Sequence, residues 1–291
     1  MSKSPYYLPQ PSHWPIVGSV SIFLMLSGAA HWLHSQSYGP YLCLLGFMGL
    51  LFMFFGWFGT VIKENQAGAF LSPQVDRSFR WGMFAFIFSE AMFFFAFFGS
   101  LFYIRMFAVP WLGGSGEHGI MTHFLLWPSF HIEWPLLNNP NNSFFVGPKS
   151  VMETWQIPAV NTLLLLSSAV TVTIAHFALI KGKRTRMMIF QGITIALGIA
   201  FLCMQAHEYG IAYTEKGLTL ASGIFGSTFF ILTGFHCAHV TVGLIMLIVI
   251  WGRMMCGHFT PKHHFAFEAV AWYWHFVDVV WLFLFIFVYW I

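Results

Sequence analysis

Charge is what this 291-residue chain has least of: Asp, Glu, Lys and Arg make up 8% of it, with 13 basic and 10 acidic residues. So little charge, beside 58% apolar side chains, excludes both a water-soluble domain and a disordered polar segment. Cysteine is scarce as well. Cys43, Cys203, Cys237 and Cys256 lie far apart and match no metal or redox spacing, so we read them as small core hydrophobes. The net charge of +3 says nothing about nucleic acid, and none is expected as a partner, because topology explains how the charge is distributed. No cleavable leader is expected, since MSKSPYYLPQPSHWP is polar and proline-rich up to Ile16. No repeat of fixed period is present.

What the chain does have is apolar runs long enough to cross a bilayer. A window of about nineteen residues gives seven, at 16–33, 41–62, 81–107, 157–180, 187–211, 221–251 and 265–291. We expect an all-α membrane protein of seven transmembrane helices, forming a single integral membrane domain over 1–291. Residues 1–15 form its cytoplasmic N-terminal segment, 16–62 its first two helices, and 81–291 the other five with an external loop at 108–156. Lys3, Lys63, Arg77, Arg80, Lys181, Lys183, Arg184, Arg186, Arg253 and Lys262 fall on one side, against Arg105, Lys149 and Lys216 on the other. The positive-inside rule then places the N-terminus in the cytoplasm and the C-terminus outside. The loop at 108–156, with its WPSFHIEWPLL and NNPNNSFFVGP stretches, reads as an ordered flap at the membrane interface.

Chemistry-bearing residues inside the runs are few. Glu268, His275 and Asp278 interrupt the last one, and a carboxyl near mid-membrane costs several kcal/mol unless it faces protein or is paired. Glu268, Trp272 and His275 share one face at i, i+4, i+7, and Asp278 lies one turn beyond His275. Glu90 stands alone among phenylalanines in the third run. It is about nine residues from the inner end, which at about 1.5 Å per residue is roughly 14 Å deep in a core about 30 Å thick. Two readings stay open for it: a neutral acid bonded to a neighbouring helix, or a protonatable group that reacts at a lipid-lined cleft. His236 and His239 share a face of the sixth run, and helix packing of antiparallel neighbours allows a contact between His239 and Asp278.

Fourteen histidines raise the question of metal. The close pairs are His31 with His34, His236 with His239, and His263 with His264. They do not make the several histidine boxes of a di-iron membrane enzyme, and a thiolate copper site lacks its cysteines. Spacing leaves open a haem held by two of His176, His207, His236, His239 and His275, but histidines bonded to neighbouring helices account for them more simply. We therefore expect no metal and no redox centre in this chain. Lys63, Arg80 and Arg253 sit at run ends beside Trp57, Trp81 and Trp251, as phospholipid head-group ligands or as ordinary interfacial anchors.

Six segments in order, PSHWPIVGS, RWGMFAFIFSEAMFFFAFF, NTLLLLSSAVTVTIAHFAL, HEYGIAY, GIFGSTFFILTGFHCAHVTVGL and HHFAFEAVAWYWHFVDVVWLFLFIFVYW, resemble subunit III of the cytochrome c oxidases. The likeness runs from about Trp14 to Trp290. It implies seven helices in two bundles, the first two and the last five, around a V-shaped cleft that holds phospholipids. It also implies an accessory subunit of a proton-pumping oxidase of aerobic respiration. Such a subunit packs on subunit I beside subunit II, sustains proton uptake and turnover stability, and leaves haem and copper to its partners. On this sequence the carbodiimide-reactive carboxylate of that family matches Glu90, and the lipid contacts match Lys63, Arg80 and Arg253, with Trp57 beside them. The family's histidine-bearing stretch after the second helix is replaced here by NQAGAFLSP. A bacterial inner membrane is the expected location. The reading from another class is a stand-alone transporter using Glu90, Glu208 and Asp278 as a relay.

Overall fold

The computed structural model describes residues 11–68, 72–117 and 119–291. Lys3, with the rest of the N-terminal segment through residue 10, and 69–71 of NQAGAFLSP lie outside the described residues. Among the described residues the regular secondary structure is all helix, with no strand. Seven helices are long and apolar enough to span a membrane: α1 (Trp14–Leu33), α2 (Gly39–Gln66), α3 (Pro73–Leu112), α5 (Ile157–Ile180), α6 (Arg184–Thr214), α7 (Ile224–Met255) and α8 (Phe265–Trp290). One short helix, α4 (Gly119–Leu126), lies in the loop between α3 and α5.

Most helices overrun the apolar windows at their polar ends, because their boundaries are set by proline and glycine rather than by hydropathy. Proline stands in the first turn of α1, α2, α3 and α5, where the missing N–H has no partner to lose. At the end of α5, Gly182 adopts φ 67°, so that its own N–H reaches the Leu179 carbonyl and the Lys183 N–H that of Ala178. α3 continues past its expected end through a π-helical turn over Ile104–Ala108. Pro110 follows directly and cannot donate to the carbonyl four residues back, so a widened turn there relieves the clash.

The chain divides into two compact units, Met1–Trp81 and Gly82–Ile291. In the first, α1 buries Gly18, Ser21 and Gly28, and α2 buries Gly39, Gly46 and Met53. Spacings of seven along each helix put small residues on a single seam, where two backbones can touch. A Cβ at Gly28 would lie 2.2 Å from the Cys43 backbone nitrogen, and one at Gly46 2.3 Å from that of Met25.

The second unit is organised around α8. Phe267, Ala271, Trp274, Asp278, Trp281 and Phe285 recur every three or four residues on its buried side, while Val279, Phe283 and Phe287 point outward. Both buried indoles are satisfied by α5: Trp274 Nε1 donates to Ser168 Oγ at 2.8 Å, and Trp281 Nε1 to Thr162 Oγ1 at 2.9 Å. Trp274→Ala should therefore leave a large cavity and remove the N–H that Ser168 Oγ accepts, its own donation to the Leu165 carbonyl remaining, at a cost of about 3–5 kcal/mol. The expected result is a lower denaturation midpoint than Trp290→Ala, whose side chain is exposed at the helix end.

The described residues of 108–156 include side chains fixed against the rest of the chain. Leu136 is buried, and Asn139 Nδ2 donates to the carbonyls of Phe145 and Ser222, tying the loop to the start of α7. The reading of the cysteines is corrected. Cys203 and Cys256 are exposed and Cys43 and Cys237 half-buried, since the outer surface of a membrane helix is as tolerant of a small apolar group as its core is.

Candidate functional site

Polar side chains inside the second unit gather where helices meet. Glu90, near the middle of α3, faces His239 of α7, with Oε2 2.9 Å from Nε2. The other ring nitrogen, Nδ1, lies 2.6 Å from the Phe235 carbonyl, which can only accept, so Nδ1 carries a proton. That leaves two arrangements: a neutral acid donating to Nε2, or a carboxylate facing an imidazolium. Both are neutral overall and share one proton, which is how a carboxyl is accommodated among Phe93, Phe94 and Phe97.

The structure corrects the expected partner of His239, which is Glu90 rather than Asp278. Asp278 is buried instead beside His275, with Nδ1 3.8 Å from its Oδ2, too long for a hydrogen bond. His236 is fully buried, and its Nε2–H donates to the Val277 carbonyl of α8 at 3.2 Å, so α7 and α8 are joined through His236. Glu268 and His275 do share a face, and it meets α5. His275 Nε2 is 3.2 Å from Thr173 Oγ1, and two turns nearer the start of α8, Glu268 and His264 come to His176. One ligand atom from each of His176, His264 and Glu268 falls within 4.8 Å of the others.

A further buried set was not legible beforehand. Asn161 of α5 donates to Gln205 Oε1 of α6 at 3.1 Å, Gln205 Nε2 lies 3.4 Å from the Tyr289 hydroxyl, and fully buried Glu208 sits beside both Gln205 and Tyr289. Glu208 is visible in the sequence as a lone carboxyl in a span. Its amide and phenol neighbours carry no pattern that would mark them.

Each of the two compact units carries basic residues of its own. In the first, Lys63 and Trp57 of α2 are exposed, and Arg80 of α3 is held by Asp76 in an i, i+4 ion pair at 2.8 Å. In the second, Arg253 of α7 is half-buried with its guanidinium 4.7 Å from the Phe259 ring centroid, and neither Nε nor Nη2 finds an acceptor among the described residues.

Glu90 is expected to be the carboxyl most readily modified by a hydrophobic carbodiimide, because the reagent partitions into lipid and needs a protonated acid. Its side chain is 24% exposed, whereas those of Glu208 and Asp278 are shut in. Mass-spectrometric mapping should find the label on Glu90 and lose it in Glu90→Gln; unchanged labelling of that variant would move the assignment elsewhere.

Fold and site together define a polytopic helical membrane protein whose buried polar groups are directed at helix contacts. The family model of cytochrome c oxidase subunit III matches residues 4–140 and 142–291. Cytochrome c oxidase subunit 3 of Gazella subgutturosa is 40% identical over 285 residues, 98% of this chain and 96% of that protein. The subunit 3 proteins of Gazella leptoceros, at 39%, and Tragelaphus imberbis, at 40%, match over the same shares. The chain belongs to the cytochrome c oxidase subunit III family. It is accordingly a subunit of the oxidase complex, in aerobic respiratory electron transport.

Proposed function

We infer that this chain is the accessory subunit of a proton-pumping cytochrome c oxidase and carries no redox centre of its own. Haem and copper belong to partner subunits; this chain packs directly on subunit I, in a complex that includes subunit II. It binds phospholipids and stabilises the catalytic subunit and its proton uptake. The observation that carries this reading is the family match along the whole chain. The geometry adds two supports. Spanning-helix histidines such as His236, His239 and His275 are engaged with Val277, Glu90 and Thr173, as helix-joining residues would be. Arg253 is half-buried against Phe259, and its enclosed Nε and Nη2 find no acceptor among the described residues, which fits a guanidinium reserved for a phosphate head group.

The transporter reading fares worse. Glu90, Glu208 and Asp278 are each enclosed by different neighbours, His239, Tyr289 and His275, whereas a relay would string them along one path. The charge distribution supports an N-terminus inside and a C-terminus outside, and the proposed location is a bacterial inner membrane.

Native mass spectrometry of the gently solubilised protein tests the assignment. The expected spectrum shows this chain with haem-bearing chains and bound phospholipid. A chain that is isolated alone, with transport activity, would overturn it.

A further inference from the structure

We propose that His176, His264 and Glu268 form a binding site for a divalent metal ion of the zinc class, at the shared end of α5 and α8. This is independent of the accessory role inferred above, and no redox change is involved. Two imidazoles and one carboxylate are a frequent protein ligand set for such an ion, with water in the remaining position. In a tetrahedral site with bonds of about 2.1 Å, ligand atoms are roughly 3.4 Å apart. Here they already lie within 4.8 Å of one another, so rotation about side-chain bonds brings them in without moving a helix.

The placement is built by the fold. His264 caps α8 and Glu268 stands in its first turn, so the i, i+4 spacing puts both on the side facing α5. His176 comes from the last turns of α5 and packs on Phe267, its ring centroid 5.5 Å away and the two planes inclined by 28°. Its ring meets that of His264 edge-on with centroids 5.4 Å apart, and a ligand atom of Glu268 lies within 4.8 Å of one from each. All three are half-buried, accessible to an ion yet shielded enough for it to stay. His264 Nδ1 is buried and finds no hydrogen-bond partner among the described residues, as a nitrogen awaiting a ligand would.

Charge does not oppose this. The start of α8 carries the equivalent of about half a positive charge, which the Glu268 carboxylate more than offsets. An ion bound there would bridge α5 to α8 where the sequence between them is long, and its direct bonds would outweigh that dipole. Soft thiolate ligands are absent from the set, so zinc, or cobalt as its spectroscopic stand-in, is the probe to use.

The test uses the intact complex in detergent, stripped with a chelator and equilibrated with zinc chloride. Metal is counted per complex by inductively coupled plasma mass spectrometry, and affinity is read against a chromophoric chelator. The wild type should hold one more zinc than Glu268→Gln or His264→Ala, and binding at this site should weaken at least tenfold in each. His263→Ala, an exposed neighbour outside the triad, should match the wild type. Zinc should also raise the denaturation midpoint of the wild type and not of Glu268→Gln, which keeps the side-chain shape. Should His264→Ala fail to assemble, Glu268→Gln and His176→Asn give the same comparison. Equal zinc content and equal affinity in wild type and Glu268→Gln would mean an adventitious ion only, and would overturn the site.

Discussion

A chain carrying Gly46→Val loses the packing of α1 on α2, whereas Gly59→Val on the same helix keeps it. Gly46 faces backbone, with a Cβ there 2.3 Å from Met25 N and 2.6 Å from the Ser21 carbonyl oxygen, while a Cβ at Gly59 has nothing within 4 Å. Flexible side chains can turn away from an added group, but backbone atoms cannot, so valine at 46 must push the helices apart. Overpacking usually costs about 1–3 kcal/mol, and a backbone clash belongs at or beyond the upper end. The loss is not made up elsewhere. Lipid is as apolar as the helix surface and supplies no hydrophobic drive, so close packing is most of what holds the pair. Hydrogen exchange is the measurement: amides of α1 should exchange much faster in Gly46→Val than in Gly59→Val. Equal exchange would show that contact along the glycine seam is not what joins the helices.

Those glycines also mark the limit of what could be read in advance. The seven spans were legible because an apolar run about twenty residues long has few other uses, and proline and glycine then moved their ends by only a few residues. Pairing was not legible in the same way. The bond from Glu90 to His239 joins residues 149 apart, and nothing local to either says which helix the other lies on. Asp278 is as suitable a partner by depth, but His239 faces Glu90 of α3 and Asp278 is buried beside His275 of its own helix. His264 and Glu268 could be seen to share a face. The addition of His176 required knowing that α5 and α8 are neighbours, which hydropathy does not specify. The buried set of Asn161, Gln205 and Tyr289 was hidden for a different reason: single amides and phenols in a span differ little in composition from ordinary packing residues.

Replacing Arg80 and Arg253 together by Ala should deplete the oxidase of phospholipid and shorten its working life while leaving its first turnovers normal. Each basic residue near a membrane surface contributes on the order of 1 kcal/mol to an anionic head group, so losing two lowers occupancy by roughly tenfold or more. Arg253 should account for most of the effect. Its Nε and Nη2 have no acceptor among the described residues, whereas Arg80 already spends its Nε on Asp76. Arg253→Ala alone should therefore release more lipid than Arg80→Ala alone. On the accessory reading, in which haem and copper belong to partner subunits, the visible spectrum and the initial rate should be those of the wild type. Lipid lost from this subunit loosens its hold on its neighbours, and the deficit then accumulates with turnover as earlier inactivation. Lipid counting by mass spectrometry and oxygen-consumption traces run to exhaustion give the two readouts. A collapsed initial rate with lipid content unchanged would point to a direct part in proton or electron transfer, and the accessory, lipid-holding role would have to be given up.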